Sequence, residues 1–187
     1  MQERLNEFLK ENSLELINKI SKGYSSEVFL VQNSKGKKFA LKIEKEKSPR
    51  KEMVEKEVQN LKLANSISVG PKLISFDKEK KIILIEFIEG KTFSGWLFES
   101  PPDKKILEGF LKELFSQAKK LDEVGLDHGQ LAGKGKNILV RNNLPVIIDF
   151  EKASTNRRVH NLTQLDSFIH KNPNSAIAKK VKEILKA

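Results

Sequence analysis

Val146-Ile147-Ile148-Asp149-Phe150-Glu151 begins with three strand-forming apolar residues, and an aspartate follows them directly. A strand of this kind places a carboxylate at the edge of a sheet, where oxygen ligation of Mg²⁺ is natural. The simpler interpretation is that Asp149 caps a helix that begins after it. These six residues leave both interpretations open.

A loop that contains an amide side chain precedes this strand. The loop begins with Gly125-Leu126-Asp127-His128-Gly129-Gln130-Leu131, and five residues separate this segment from Asn137-Ile138-Leu139-Val140. A loop that holds Asn137 next to a strand is able to present the amide to a metal ion. Residues 141–145 form a polar turn, which joins this strand to the one before Asp149.

The second half of the chain is otherwise predicted to be mainly helical. Pro101-Pro102-Asp103 is typical of a helix start, with Asp103 as the cap. The apolar positions that follow, from Ile106 to Leu121, keep the helical period. Residues 152–187 are predicted to be helical as well.

The first half of the chain predicts a sheet with one internal helix. A short amphipathic helix with Leu5, Phe8 and Leu9 opens the chain. Pro49 is expected to open the internal helix. The predicted strands lie near residues 14–17, 28–31, 39–43, 72–76 and 81–87. With the change of pattern near residues 89–90, this order predicts an α+β fold in two lobes, 1–88 and 89–187.

Two features of the first lobe suit phosphate groups. A turn of small residues, Ser21-Lys22-Gly23-Tyr24-Ser25-Ser26, is able to bring backbone N–H groups close to phosphate oxygens, although an ordinary hairpin turn has the same composition. Lys42 lies in a strand with Phe39, Leu41 and Ile43 on the opposite face. Lys42 is either a solvated strand residue or a phosphate anchor, and an anchor needs a carboxylate to hold it. Glu57 is the best candidate, with Glu55 and Glu52 behind it.

Taken together, these segments resemble the protein-kinase fold from about residue 14 to residue 150. Lys42 follows Val28 by 14 residues and Asp149 follows Asn137 by 12, and both spacings are similar to those of kinases. The short helical second lobe is similar to that of the RIO kinases and of the small kinase of the KEOPS complex. The H-x-Q-L loop is similar to that of a group of archaeal predicted Ser/Thr protein kinases. The resemblance implies a reduced helical C-terminal lobe and binding of ATP and Mg²⁺ in the cleft between the lobes.

The resemblance also implies a role for each matching residue. Lys42 would hold the α- and β-phosphates, with Glu57 orienting it. Asn137 and Asp149 would hold Mg²⁺, and His128 would be structural. The full set implied for ATP comprises Gly23, Ser25, Ser26, Lys42, Glu57, Glu86 and Ile88, of which Glu86 and Ile88 would meet the adenine edge through their backbones.

The sequence departs from the kinase pattern in its catalytic loop. Gln130 stands where the family has the catalytic aspartate, and Asn137 follows it by 7 residues where the H-R-D-x-x-x-x-N pattern gives 5. The longer loop carries Lys134 and Lys136, which either neutralise transition-state charge or are simply solvated. Glu151 replaces the glycine of D-F-G, and no A-P-E-like segment follows it.

Two functions stay open at this point. One is an atypical serine/threonine protein kinase, in which Lys42, Asp149 and Gln130 form the catalytic set. Glutamine is able to orient a hydroxyl group but does not take up a proton at neutral pH. The other is a pseudokinase, an ATP-binding regulatory module for an RNA-containing or acidic partner.

The formal net charge of +10 bears on the partner. It indicates either an acidic partner, such as RNA, or a surface of solvated lysines interleaved with glutamates. The clearest local excess is at Lys179, Lys180, Lys182 and Lys186. The chain has no cysteine, which fits a cytoplasmic protein. Its longest apolar run, Ile82-Ile83-Leu84-Ile85, is far too short to span a bilayer, so no membrane partner is expected.

Overall fold

The computed structural model describes residues 1–46, 52–133 and 135–186. The predicted helix start at Pro49 and the loop residue Lys134 lie outside the described residues. Within them, the helices are α1 (Gln2–Glu11), α2 (Met53–Ser66), α3 (Phe93–Glu99), α4 (Lys104–Glu123), α5 (Asn161–Asp166) and α6 (Ala176–Lys186). The strands are β1 (Leu14–Lys22), β2 (Ser26–Asn33), β3 (Lys38–Glu44), β4 (Leu73–Asp77), β5 (Ile82–Glu86), β6 (Lys91–Thr92), β7 (Ile138–Arg141) and β8 (Leu144–Ile147).

The chain forms two compact units. The first comprises Met1–Lys62 and Pro71–Phe87, and the second comprises Leu63–Gly70 and Ile88–Ala187. The mixture of an antiparallel sheet with several helices confirms the predicted α+β class.

The first unit is a five-stranded antiparallel sheet in the order β1-β2-β3-β5-β4. Helix α1 packs against this sheet because Leu5, Phe8 and Leu9 fall on one helical face. Strand alternation directs one side of β3 into the same core. The sheet residues of this core are Phe29, Val31, Phe39, Leu41, Ile43, Ile82 and Leu84.

The second unit combines a three-stranded sheet, in the order β6-β7-β8, with the remaining helices. Asp103 caps α4 as expected, since its carboxylate accepts a hydrogen bond of 2.8 Å from the Ile106 backbone N–H. Phe93 stacks on Phe110 with the ring centroids 5.0 Å apart, and Trp96 lies 4.9 Å from the same ring.

The expectation of helix throughout 152–187 is wrong. A 3₁₀ helix covers Phe150–Lys152, α5 continues into a π-helical turn at Ser167–Lys171, and α6 begins only at Ala176. Asn172 adopts an extended conformation because the residue before a proline, here Pro173, is disfavoured in the helical region. Among the described residues, no helix has the length and apolar character needed to cross a membrane.

Candidate active site

The β7–β8 hairpin positions Asn137 and Asp149. Ile138 pairs with Ile147, and just beyond that pair the Ile148 backbone N–H donates a 2.9 Å hydrogen bond to the Asn137 carbonyl. The chain thus brings Asn137 and Asp149 to the same end of one antiparallel hairpin, although they are 12 residues apart.

Asp149 has an unusual backbone conformation for a residue with a side chain. Its φ of 67° and ψ of 69° lie in the left-handed region, which aspartate tolerates better than most residues. Such conformations cluster at functional sites, where the surrounding structure holds them in place. Asp149 occupies the N-cap position of the 3₁₀ helix, but its side chain makes no capping hydrogen bond. Helix capping therefore does not account for this carboxylate.

The amide of Asn137 is oriented by the loop before it. Its Nδ2 donates a 3.0 Å hydrogen bond to the Gln130 carbonyl, which also accepts one of 3.1 Å from the Gly133 N–H. With its nitrogen engaged in this way, the amide offers its oxygen as a ligand. In the described part of the chain, no three acidic or histidine side chains group into a metal site. One carboxylate with one amide oxygen fits Mg²⁺, because protein-bound Mg²⁺ commonly takes its other ligands from nucleotide phosphates and water.

His128 is a structural element of this loop. Its ring is completely buried, lies edge-on to Phe150 at 5.0 Å, and has Nε2 3.0 Å from the Ile148 carbonyl. Burial lowers the pKa of His128, although the hydrogen bond to Ile148 opposes this shift. The ring is therefore neutral near pH 7, and its Nε2–H donates to the carbonyl that precedes Asp149.

A polar cluster of Asn161 and Asp122 holds the backbone of this loop, and it was not predicted from the sequence. The Asn161 side chain accepts a 2.9 Å hydrogen bond from the His128 N–H and donates to the Leu126 carbonyl at 2.8 Å. Asp122 accepts hydrogen bonds from the Asn161 amide and from the backbone N–H groups at the start of α5. This cluster fixes the backbone that leads to Gln130.

Asp127 is held by an arginine that the sequence analysis also missed. Arg157 Nη2 lies 2.9 Å from Asp127 Oδ2 and donates to the Lys152 carbonyl at 2.6 Å. Gly129 makes room for this guanidinium, because a Cβ on Gly129 would lie 2.5 Å from Arg157 Nη2. Asp127 is only 2% exposed and is committed to its ion pair, so it is not placed to act as a general base.

Gln130 itself is half-buried. Its carbonyl closes the loop, as described above, while its side-chain amide forms no hydrogen bond with any residue that the structure describes. An amide in this state is able to orient an acceptor hydroxyl group.

In the first unit, Lys42 and Glu57 form an ion pair. Lys42 Nζ lies 2.7 Å from Glu57 Oε2, and the two side chains are 12% and 5% exposed. The alternative carboxylates pair elsewhere, Glu55 with Lys78 at 3.5 Å and Glu52 with Lys56 at 3.8 Å. Lys42 is therefore a largely buried cation and not a solvated strand residue.

A second lysine, Lys45, contacts the turn that contains Gly23. The Gly23 N–H donates a 2.9 Å hydrogen bond to the Ser26 carbonyl, and Ser25 and Ser26 are buried. Lys45 Nζ lies 2.5 Å from the Gly23 carbonyl and 3.3 Å from that of Tyr24. Lys45 was not predicted from the sequence, although the pairing of β2 with β3, extended by one residue beyond Ser26 and Glu44, places it opposite Ser25.

Glu86 and Ile88 lie at the end of β5. Glu86 pairs with Phe39, and its N–H donates a 2.8 Å hydrogen bond to the Lys72 carbonyl. Ile88 is buried and lies outside helix and strand. Their contact with adenine stays a prediction.

Parts of the chain are similar to known proteins. A family model described as the RIO domain matches residues 9–171. The "Uncharacterized protein MJ1211" of Methanocaldococcus jannaschii is 32% identical over 81 residues, which make up 42% of this chain and 66% of that protein.

Proposed function

The chain belongs to the RIO domain family of atypical kinase-like proteins, and on that premise we propose that it is an ATP- and Mg²⁺-dependent serine/threonine protein kinase. The observation that carries the proposal is the Lys42–Glu57 ion pair. Burial of two charges is weak evidence for stability, because well-packed apolar residues often stabilise a fold as well or better. A strand lysine held by a helix glutamate is, however, the arrangement with which protein kinases bind the nucleotide phosphates.

In this proposal the residues for ATP are those implied by the resemblance. The backbone of the turn at Gly23, Ser25 and Ser26 covers the phosphates, and Lys42 contacts the α- and β-phosphates. The backbones of Glu86 and Ile88 bind the adenine edge. These residues belong to the proposed lobe 1–88, whereas Asn137, Asp149 and Gln130 belong to the proposed lobe 89–187.

Asn137 and Asp149 are the proposed ligands of Mg²⁺. The ion would neutralise charge on the phosphate oxygens when it is bound. Asp149 has a left-handed backbone, and the Nδ2 of Asn137 is already hydrogen-bonded. In this proposal each residue offers one oxygen ligand at the same end of the hairpin. Their part in the reaction is to orient the phosphates for transfer.

Gln130 is the proposed partner of the acceptor hydroxyl. The hydroxyl oxygen attacks the γ-phosphorus, the bond to the β–γ bridging oxygen breaks, ADP leaves, and the hydroxyl proton passes to an oxygen of the transferred phosphoryl group. Because the transition state is loose, positioning and charge neutralisation supply most of the catalysis. Lack of a general base lowers the rate by about 10²–10⁴-fold without removing the reaction.

The second candidate function is a pseudokinase that binds ATP and controls an RNA-containing or acidic partner. Two observations favour it: Gln130 replaces the aspartate, and the nearby Asp127 is buried in an ion pair with Arg157. This function needs the same nucleotide residues but no transfer.

Binding of MgATP tests the shared part of both functions. We expect MgATP to raise the melting temperature, because it binds the folded state. Asp149→Asn and the double variant Lys42→Met with Glu57→Gln should shrink this shift, each measured against its own ligand-free protein. The double variant avoids leaving one buried charge unpaired, which typically costs about 3–5 kcal/mol. Lys104→Ala, at an exposed lysine of α4, is the control and should keep the full shift. Unchanged MgATP shifts in the first two variants would contradict the site.

A further inference from the structure

Three exposed cations flank the loop that contains Gln130. Lys136 follows the inserted residues, Lys152 ends the 3₁₀ helix after Asp149, and Arg158 lies before α5. None of the three side chains forms an ion pair or a hydrogen bond with a residue in the described ranges 1–46, 52–133 and 135–186.

These cations are connected to the loop through their backbones and through Arg157. The Lys136 N–H donates to the Gly133 carbonyl at 3.2 Å, and Gly133 in turn donates to Gln130. The Lys152 carbonyl would lie 2.8 Å from a Cβ on Gly129, the residue before Gln130. Arg158 directly follows Arg157, whose guanidinium is bonded to that same carbonyl. The backbones of Lys136 and Lys152 therefore lie beside this loop, and Arg158 follows an arginine that contacts Asp127 of the loop.

The acidic residues of this region do not balance the three cations. Asp127 is buried against Arg157, Asp149 has its proposed role with Mg²⁺, and the half-buried Glu151 supplies a single negative charge against the three cations. Some lysines elsewhere in the unit have acidic partners, as in Lys91–Glu99 at 3.3 Å and Lys119–Glu123 at 3.6 Å, whereas Lys105 and Lys112 on α4 are exposed without an ion pair to a described residue. Positive charge is therefore left over around Gln130, next to the loop that would meet the acceptor.

A cavity of about 360 Å³ adjoins the same loop. It lies between the loop and the region of α5 and the π-helical turn. Its lining contains no ionisable side chain and consists of Ala132, Thr163, Gln164, Ser167, Phe168 and Asn172. Its hydroxyl and amide groups suit a neutral side chain or a stretch of peptide backbone.

We infer that this surface binds a carboxylate-rich segment of the acceptor protein. The segment places a neutral residue in the cavity and its carboxylates against Lys136, Lys152 and Arg158, where guanidinium and ammonium groups form charge-assisted hydrogen bonds. The inference rests on the proposed kinase function. RNA is the less suitable occupant, because the described residues of 127–160 expose no Phe, Tyr or Trp and Phe168 in the cavity lining is half-buried, whereas sites for single-stranded nucleic acid typically stack bases on exposed rings.

Direct peptide binding tests the inference. Two fluorescent peptides are compared by anisotropy without ATP, both with a central serine, one flanked by glutamates and one by lysines. The parent should bind the acidic peptide, with an affinity that falls as salt rises. Lys152→Glu combined with Arg158→Glu should weaken that binding by about tenfold or more, since like charges then face each other.

A matched control separates this surface from the overall charge. Lys105→Glu combined with Lys112→Glu makes the same change in net charge on α4, where both lysines are exposed. The control should bind the acidic peptide nearly as well as the parent. Equal weakening in both double variants, or equal binding of the acidic and basic peptides, would overturn the inference. Tight binding of a single-stranded RNA with none of the acidic peptide would overturn it in favour of a nucleic acid.

The outcome is separable from that of the kinase proposal. Absence of peptide binding with a normal MgATP melting shift would refute the acceptor surface alone. Absence of the MgATP shift with normal peptide binding would refute the nucleotide site alone. Unchanged melting temperatures without ligand show that the charge variants are folded.

Discussion

At the residue scale, Gly129 illustrates how a missing side chain shapes the site. It has a φ of +75° and leaves space for the Arg157 guanidinium that neutralises Asp127. Gly129→Ala should lower the free energy of unfolding by about 1–3 kcal/mol, through a strained backbone and displacement of Arg157. Urea denaturation measures this change.

Gly125 supplies the control for that prediction. It has the same φ of +75°, but a Cβ there would meet nothing within 4 Å. Gly125→Ala therefore reports the backbone strain alone. If the two alanine variants lose equal stability, the contact with Arg157 does not require a glycine at position 129.

Gln130 is the residue on which the two proposed functions differ. If its amide orients the acceptor hydroxyl, Gln130→Asp should add a base and raise single-turnover transfer by up to about 10²–10⁴-fold. The longer loop is able to offset this gain, since a displacement of about 1 Å can cost about 10²-fold. Gln130→Ala should lower transfer. Affinity for MgATP should stay the same in both variants.

Labelled ATP with Mg²⁺ provides the measurement for Gln130. Equal transfer rates in the parent, Gln130→Asp and Gln130→Ala would remove Gln130 from the mechanism. Absence of labelled protein in all three, with MgATP still bound, would favour the pseudokinase.

Residues differ in how far the sequence alone predicts them. Lys42 and Glu57 are predictable because strand alternation and helical period place each on a definite face. Asn161 is not predictable in this way, because its partners Asp122 and His128 lie 39 and 33 residues away. A contact of that kind depends on tertiary packing, which local periodicity does not encode.

At the element scale, the strands are predictable from local apolar alternation, whereas a short helix is not. The alternation of apolar residues predicts β2 and β3, and their common core with α1 follows from the spacing of Leu5, Phe8 and Leu9. Helix α3 is absent from the sequence prediction because its seven residues include Ser94 and Gly95, which interrupt any clear period. Thr92 nevertheless starts it, by accepting a 3.1 Å hydrogen bond from the Gly95 N–H.

The β7–β8 hairpin shows what an element adds to single residues. From the sequence, Asn137 and Asp149 share only a kinase-like spacing. Pairing of Ile138 with Ile147 brings the two residues to the same end of one hairpin. The left-handed conformation of Asp149 is not predictable, because apolar alternation indicates an extended strand and does not specify the backbone of a residue beyond its end.

At the scale of the whole molecule, the net charge of +10 is distributed unevenly. Some lysines form ion pairs within the chain, such as Lys42 with Glu57, whereas others are exposed to solvent. Surface ion pairs contribute little stability, typically about 0–1 kcal/mol each. The excess charge therefore matters more for association than for folding.

Helix α6 holds a local excess of positive charge, and its lysines are the proposed contact with RNA or another acidic partner. Lys179, Lys182 and Lys186 are exposed, whereas Lys180 pairs with Glu183 at 2.7 Å. Changing all four to glutamine should weaken RNA binding and reduce the slope of log K against log salt by about 2, since each of the three exposed lysines would neutralise one phosphate and each such contact on a single strand contributes about 0.7. Titration of a labelled RNA at several salt concentrations measures the slope. The matched control is the glutamine variant of Lys104, Lys105, Lys112 and Lys119 on α4, in which Lys119 likewise pairs with a glutamate. A slope that falls equally in both variants indicates non-specific attraction by net charge, and an unchanged slope in the α6 variant leaves these lysines as solvated surface.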